Sequence, residues 1–328
     1  MNVLITGGAG YIGSNVALSL IDANHKVTII DNLITGSKKV IPTKAQFYNL
    51  DISDETKILE ILKNNKFDLV MHFAGLIKVE ESLKYPEKYY LYNIQKAKTF
   101  LQSCFSSGLN KVIFSSTAGV YGKTKINVKV SETSDLKPSN PYAETKYEVE
   151  KYLINLSSKN KIKCIILRYF NVAGVDEKNR SGIMTLNSNN LIKAVCETVV
   201  QKRKKFTING NDYDTKDGTP VRDFIHISDL ANMHVIAAKD IHSNGSSDIY
   251  NCGYGNGYSV KEVIQEMESV MKNKINFELG PRRHDDIPYS VADSKKFKEK
   301  FNWKPRYDNL NHILKSSLNW EKKLKNKI

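Results

Sequence analysis

"NVLITGGAGYIGSNVALSLI", residues 2 to 21, decides how the rest of the chain is read. Val3, Leu4 and Ile5 form a short apolar run, Gly7, Gly10 and Gly13 follow in G-x-x-G-x-x-G spacing, and Val16, Ala17 and Leu20 continue at helical intervals. The pattern predicts a buried strand, a tight turn and a helix. Glycine permits a sharp turn and lets backbone approach a pyrophosphate, whose charge then sits at a helix N-terminus. A glycine triplet also makes ordinary turns, so the residues around it must decide.

"KVTIIDNL" (26–33) reads as a second strand ending at Asp31, eighteen residues after Gly13. An acidic residue there accepts hydrogen bonds from ribose hydroxyls and repels a 2′-phosphate, which favours NAD over NADP. "AQFYNLDI" (45–52) predicts a third strand ending at Asp51, and "FDLVMHFAG" (67–75) a fourth ending at Ala74-Gly75. Strands alternating with helical stretches imply right-handed crossovers and a parallel sheet. Ligands gather at the carboxyl ends of such strands, where Gly7, Asp31, Asp51, Gly75 and "SSTAG" (115–119) all fall. The fold class expected is α/β, a Rossmann-type doubly wound parallel sheet with a smaller C-terminal α/β substrate domain.

The bulk numbers agree. A length of 328 residues suits one large domain or two, and 41% hydrophobic residues suffice for a core. "NVLITGG" follows Met1 with no basic region or apolar signal segment, and no apolar run approaches a bilayer span; the expectation is a soluble, cytoplasmic protein. Cys104, Cys164, Cys196 and Cys252 are scattered, which argues against a metal site or disulfide framework. The formal charge is +14, yet only seven of the 49 basic residues are arginine and the lysines are spread along the chain. The densest cluster, "QKRKKF" (201–206), has no nucleic-acid motif beside it, so a solvated lysine-rich surface is expected, without nucleic-acid or membrane partners.

"NPYAETKYEVEK" (140–151) holds two tyrosine–lysine pairs four residues apart. On a helix, Tyr142 and Lys146 share the apolar face with Val149, Leu153 and Leu156, whereas Tyr147 and Lys151 point among Glu144 and Glu148. A lysine among core positions is expensive unless something there needs it, so Tyr142–Lys146 is the chemical pair.

These motifs together, TGGAGYIG, Asp31, "HFAG", the Ser/Thr after the fifth strand and Tyr-x-x-x-Lys, resemble the extended short-chain dehydrogenase/reductase superfamily across nearly the whole chain. "LRYFNVAG" (167–174), "INGNDYDTKDGTPVRDFIHISDLA" (208–231) and "GPRRHDDIP" (280–288) resemble the UDP-glucose 4-epimerase family. Dehydratases of the superfamily carry an Asp-Glu pair where this chain has Ala118 and Gly119, which favours epimerisation. The resemblance implies Tyr142 as acid/base, Lys146 lowering its pKa and holding the nicotinamide ribose, and Thr117 on the substrate oxygen. It implies an NAD site from Gly7, Gly10, Tyr11, Ile12 and Gly13, with Asp31, Asn32, Asp51 and Ile52 toward adenosine. Phe73, Ala74, Gly75, Asn93, Tyr142, Lys146 and Phe170 complete that site. The implied UDP-sugar contacts are Thr117, Asn171, Asn190, Leu191, Arg222, Arg283, Asp286 and Ser290. For the two arginines a surface ion pair with Asp223 or Asp285 is the alternative.

Two departures from the family follow. A lysine commonly stands directly after "FAGL", where this chain has Ile77, with Lys78 one place later. A tyrosine commonly stands two residues after the proline of "DxP"; here it is Ser290, with Tyr289 just before it. A small residue leaves room for a 2-acetamido group, so action on UDP-GlcNAc/UDP-GalNAc beside UDP-Glc/UDP-Gal is expected; a one-residue shift would put Tyr289 there instead. The remaining alternatives are an epimerase of another UDP-sugar such as UDP-glucuronate, and a non-catalytic NAD-binding sensor.

The expected division is an NAD-binding domain over 1–178, with a returning segment near 222–255, and a UDP-sugar-binding domain over 179–328. Ser259 and Glu262 form a capping-box pattern opening a helix. His226 is expected to be structural and His284 to lie at the surface. The resemblance implies a homodimer built on two long helices, one containing Tyr142.

Overall fold

The computed structural model describes residues 1–185, 188–243, 245–283 and 286–326. Its contacts divide the chain into two units: Met1–Val120 with Leu136–Tyr169 and Ala231–Tyr250, and Tyr121–Asp135 with Phe170–Leu230 and Asn251–Ile328.

The first unit is built on strands β1 (Asn2–Thr6), β2 (Lys26–Asp31), β3 (Gln46–Asn49), β4 (Leu69–His72), β5 (Lys111–Thr117) and β6 (Lys163–Tyr169). They pair in parallel in the order β6-β5-β4-β1-β2-β3. The order reverses between β1 and β4, the place where ligands of open α/β sheets collect. Val3, Leu4 and Ile5 of β1 are fully buried, as a strand covered on both faces requires. The helices are α1 (Tyr11–Asp22), α2 (Glu55–Asn64), the short α3 (Val79–Lys84) and α4 (Pro86–Tyr89), α5 (Lys96–Ser106) and α6 (Pro141–Ser158). Tyr90–Gln95, between α4 and α5, is wound as a π-helix. Helix α6 starts at Asn140, whose side chain accepts the Ala143 N–H at 3.0 Å, with Pro141 in the first turn where its missing N–H costs nothing.

β3 stops at Asn49 and β4 at His72, each two residues short of the expected end. The reason at β3 is local. Asp51 accepts the Ser53 N–H at 2.9 Å and the Ser53 hydroxyl at 2.6 Å, a turn that takes the backbone out of the ladder.

In the second unit, β7 (Asn171–Ala173) pairs with β9 (Val221–His226), which also pairs with β11 (Gly257–Ser259) and β13 (Tyr289–Ser290); β8 (Phe206–Asn209) pairs with β12 (Phe277–Gly280). β10 (Asp248–Cys252) continues the large sheet beside β6. Helices α7 (Leu191–Val199), α9 (Val260–Met271) and α11 (Leu310–Lys325) pack on one another and α10 (Lys295–Phe301) completes the set, whereas α8 (Ile227–Ser243) belongs from Ala231 onward to the first unit. The capping box at Ser259 and Glu262 is formed. Lys193 of α7 reaches Glu321 of α11 at 2.5 Å and Glu197 at 3.4 Å, a buried charge cluster that joins the two helices.

Candidate active site

The glycine turn connects β1 to α1. Gly7 has φ +72°, and a Cβ there would stand 2.6 Å from the Ala74 nitrogen; at Gly13 it would stand 2.4 Å from the Gly7 carbonyl oxygen. Those two positions demand glycine for backbone packing. Gly10 differs: its Cβ would meet the Gly7 oxygen at 3.2 Å and nothing else within 4 Å. Gly10 is also the N-cap of α1, without a side-chain cap and with no acidic residue in the first turn. Tyr11, Ile12 and Gly13 therefore open a twelve-residue helix whose N-terminus is suited to an anion.

At the end of β2, Asp31 accepts Ala9 N–H at 2.9 Å and Leu33 N–H at 2.8 Å, one on each carboxylate oxygen, leaving lone pairs for further donors. Asn32 donates to Asp51 at 3.0 Å. Burial alone would raise the Asp51 carboxyl, but the Lys96 ammonium at 2.7 Å, Ser53 and Asn32 together hold it well below the usual carboxylate range. Ile52 is buried beside it. After β4, the Phe73 ring packs tilted against His234 with centroids 5.2 Å apart, and Ala74 donates its N–H to Thr6 at 3.4 Å. A side chain on Gly75 would press on the Asn93 amide oxygen at 3.0 Å. Asn93 lies in the π-helical turn; it accepts Leu76 N–H at 2.7 Å and donates to Leu76 C=O at 2.9 Å and to Thr145 at 3.1 Å. Such turns recur at functional sites.

The reactive-looking pair comes from α6 against the end of β5. The Tyr142 phenol lies beside the Thr117 hydroxyl. Lys146 is buried and donates from Nζ to the Ser115 carbonyl at 2.9 Å, over the Phe114 ring at 5.0 Å. Burial pushes the Tyr142 phenol up to about 12, with the Thr117 hydroxyl opposing, and pulls Lys146 down to about 8, with Glu150 opposing. Tyr147 and Lys151 lie on the wet face, Lys151 paired with Glu148. Gly119 is tight: a Cβ there would sit 3.3 Å from the Ala143 Cβ and 3.4 Å from the Thr117 hydroxyl oxygen. Any carboxylate at 119 would crowd the tyrosine's partner.

The second unit holds a cavity of about 320 Å³. Asn171, Leu191, Arg222, Arg283 and Asp286 line it, five of the residues expected from sequence. Arg222 donates to Asp286 at 2.6 Å and to its own Val221 carbonyl at 2.9 Å. Asp223 takes no part in that ion pair: it is buried and accepts N–H groups from Tyr254, Gly255 and Ala292. The Asn190 side chain is used within the fold, accepting Lys193 N–H at 3.1 Å and donating to Val172 C=O at 3.0 Å. Phe170 is buried, and its N–H donates to the Cys252 carbonyl at 3.1 Å. Ser290 is half-buried and pairs in register with Arg222, and Tyr289 with Val221. His226 is structural: it accepts the Ser228 N–H at 3.1 Å and packs tilted against the Tyr307 ring, centroids 4.7 Å apart. His284 and Asp285 lie outside the described residues.

Sequence reading missed Arg203, Ser188, Phe206 and Asn209, which also line the cavity. Arg203 donates to the Ser188 carbonyl at 3.1 Å and to the buried Glu197 at 3.0 Å. Arginine is scarce in this chain, which could have singled out Arg203, but its lysine-rich neighbours disguised it. Asn209, with its amide oxygen turned toward Arg283, accepts from Nε and Nη2 at 3.3 Å each. Among the described residues no cluster of His, Cys, Asp or Glu is arranged for a metal ion, and no helix is long and apolar enough to cross a membrane.

Comparison with known proteins agrees with this arrangement. The chain is 40% identical over 99% of its length to UDP-glucose 4-epimerase of Azospirillum brasilense, covering 93% of that protein. It superposes with a TM-score of 0.96 and 33% identity, over 100% of both chains, on UDP-glucose-4-epimerase from Stenotrophomonas maltophila, solved with bound NAD and formylated UDP-arabinopyranose. It also resembles the UDP-Glc/GlcNAc 4-epimerase of Campylobacter jejuni, with a TM-score of 0.84 and 41% identity over 98% of this chain and 99% of that one. The family model for NAD dependent epimerases and dehydratases matches residues 3–253, from the strand before the glycine turn to the end of β10. With the glycine turn, the tyrosine–lysine helix and these full-length relatives in agreement, the chain belongs to the NAD dependent epimerase/dehydratase family.

Proposed function

We propose that the chain is an NAD-dependent 4-epimerase of UDP-hexoses, with the first unit as the NAD-binding domain and the second as the UDP-sugar-binding domain. The observation that carries the reading is the Tyr142 phenol beside the Thr117 hydroxyl, with Lys146 one turn further along the same helix. NAD fits the residues: an uncapped helix N-terminus at Gly10, space where a Cβ would stand, and Asp31 with lone pairs to spare. When bound, NAD supplies the acceptor and then the donor of the C4 hydride.

The chain's own residues handle the proton. Thr117 orients the sugar 4-oxygen toward the Tyr142 side chain, whose phenolate form takes the hydroxyl proton to become the phenol as the sugar becomes a 4-ketose, and returns it after the ketose has presented its other face. Lys146 stabilises the phenolate electrostatically, against the desolvation that raises the phenol. Arg222 and Arg283 offer planar donors to the diphosphate, Asp286 accepts from the ribose, and Asn171 and Leu191 flank the nucleotide.

Ser290 supports activity on UDP-GlcNAc and UDP-GalNAc as well as UDP-Glc and UDP-Gal, because a small side chain beside the Arg222 strand leaves space for an acetamido group. The Campylobacter jejuni relative, named for both sugars, is consistent with that range. A homodimer in the cytoplasm is the assembly we favour: Leu83, Tyr85, Tyr90 and Leu91 are 37–43% exposed in the segment packed on α6, where Ile154 is 40% exposed.

The test is equilibration of purified protein with UDP-Glc, UDP-GlcNAc and UDP-glucuronate without added NAD, followed by analysis for the C4 epimer. Tyr142→Phe should lower turnover by at least about 100-fold while NAD stays bound. Unchanged turnover removes Tyr142 from the mechanism. Ser290→Tyr should depress the N-acetylated pair selectively; equal loss on both pairs removes Ser290 as the gate.

A further inference from the structure

On α6 the residues Tyr142, Lys146 and Glu150 recur every four positions, and each is tied to one of three successive residues ending β5. Tyr142 meets the Thr117 hydroxyl, Lys146 donates to the Ser115 carbonyl, and Glu150 accepts from the Ser116 hydroxyl. Behind Glu150, Arg168 donates from Nη2 at 2.7 Å and from Nε at 3.1 and 3.3 Å. Arg168 stands on β6 directly opposite Ser116 in register. The two charged side chains are 0% and 1% exposed.

A fully buried ion pair is weak evidence for stability, since an apolar pair of similar volume commonly serves a core as well or better. Its location points elsewhere. The groups around Lys146 are Glu150 on its own helix, with Tyr142 one turn before it, the Ser115 carbonyl and Phe114 ring of β5, His72 of β4 and Asn93 beside Gly75. His72 is held neutral by burial, which takes it down to about 3. Glu150 is the carboxylate among them, and it opposes the burial that would strip the proton from Lys146.

We propose that Glu150, oriented by Arg168 and Ser116, is a positioning residue for Lys146: it keeps the buried ammonium charged and locks α6 to β5 at the spacing that sets Tyr142 beside Thr117. The inference rests on reading Tyr142 and Lys146 as the reaction centre.

The variants are Glu150→Gln, the double variant Glu150→Gln/Arg168→Met, which leaves no unpaired buried guanidinium, and Glu150→Asp, which keeps the charge one methylene further back. In NAD-loaded protein carrying ¹³C-labelled lysine, the Lys146 side-chain signal, assigned with Lys146→Arg, is followed against pH beside the pH profile of kcat. Loss of the charge should lower the Lys146 midpoint by at least about one pH unit, a tenfold change, and move the alkaline limb of kcat with it. Glu150→Asp should return both toward the parent. An unmoved midpoint in the variants that fold, even with slower turnover at every pH, reduces Glu150 to packing and overturns the proposal. Should the parent protein show no epimerase activity, the functional reading falls, and the Lys146 titration still decides this inference.

Discussion

Arg222 donates to Asp286 at 2.6 Å with one nitrogen and to the Val221 carbonyl at 2.9 Å with the other, so its guanidinium is clamped on two sides within the lining of the cavity. A clamped fork presents its remaining N–H groups in fixed directions, which suits the oxygens of a diphosphate. Arg222→Ala should raise the Kd for UDP by about 10- to 100-fold, the equivalent of ~1.4–2.8 kcal/mol, measured by calorimetry. Arg222→Lys should recover only part of this, because an ammonium cannot keep both clamps and still offer a planar edge. Equal affinity in the alanine variant would assign Arg222 to the ion pair alone.

The glycine turn separates packing from ligand binding. At Gly13 an added methyl meets the Gly7 carbonyl at 2.4 Å, so Gly13→Ala must displace backbone, and both melting temperature and NAD content should fall. At Gly10 the methyl meets one atom at 3.2 Å and otherwise open space. Gly10→Ala should therefore lose NAD with a much smaller fall in melting temperature of the cofactor-stripped protein. Retained NAD in that variant would remove the pyrophosphate from the mouth of α1.

Asp223 predicts a different kind of loss. Its Oδ1 accepts Tyr254 N–H at 2.9 Å, and its Oδ2 accepts Gly255 N–H at 2.8 Å and Ala292 N–H at 3.2 Å. An asparagine offers one oxygen and one amide nitrogen, so at least one backbone donor is left facing a donor. Asp223→Asn should cost about 2–4 kcal/mol in urea unfolding, since each orphaned buried donor costs about 1–3 kcal/mol. A change below about 0.5 kcal/mol would show that the loops joined at Asp223 are held by other contacts.

What was legible in the sequence follows from what each signal depends on. Local signals, the strand before Gly7 and the Ser259–Glu262 box, depend on neighbours a turn away, and the structure forms both of them. The tyrosine–lysine choice was readable because helical periodicity alone separates a buried Lys146 from an exposed Lys151. Non-local pairs were not readable. Arg168 finds Glu150 eighteen positions earlier through strand register, and Arg222 finds Asp286 sixty-four positions later, distances over which spacing carries no information. Arg203 failed for another reason: among lysines, it looked like solvated surface.

The buried histidines set the response to acid. Burial takes both His72 and His226 down to about 3, well below the value of about 6.5 expected in an unfolded chain. The unfolded state therefore binds two protons that the folded state refuses, and the stability this represents is present above pH 6.5 and is lost as pH falls from there toward 3. Asp223 acts with opposite sign. Burial raises its carboxyl from 3.8 to about 6, so the folded state holds an extra proton between those values and gains relative stability as pH falls through them. Between pH 6 and 4 the two histidines therefore give a slope of falling stability, set against the raised carboxyls of Asp223, Asp31, Asp229 and Glu132, that urea unfolding series read out. His226→Gln should flatten that slope by about one proton whatever it does to stability at neutral pH, because the slope counts protons and not contacts. A His226→Gln protein with the parent's slope would mean that His226 already titrates normally in the fold, against its burial and its packing on Tyr307.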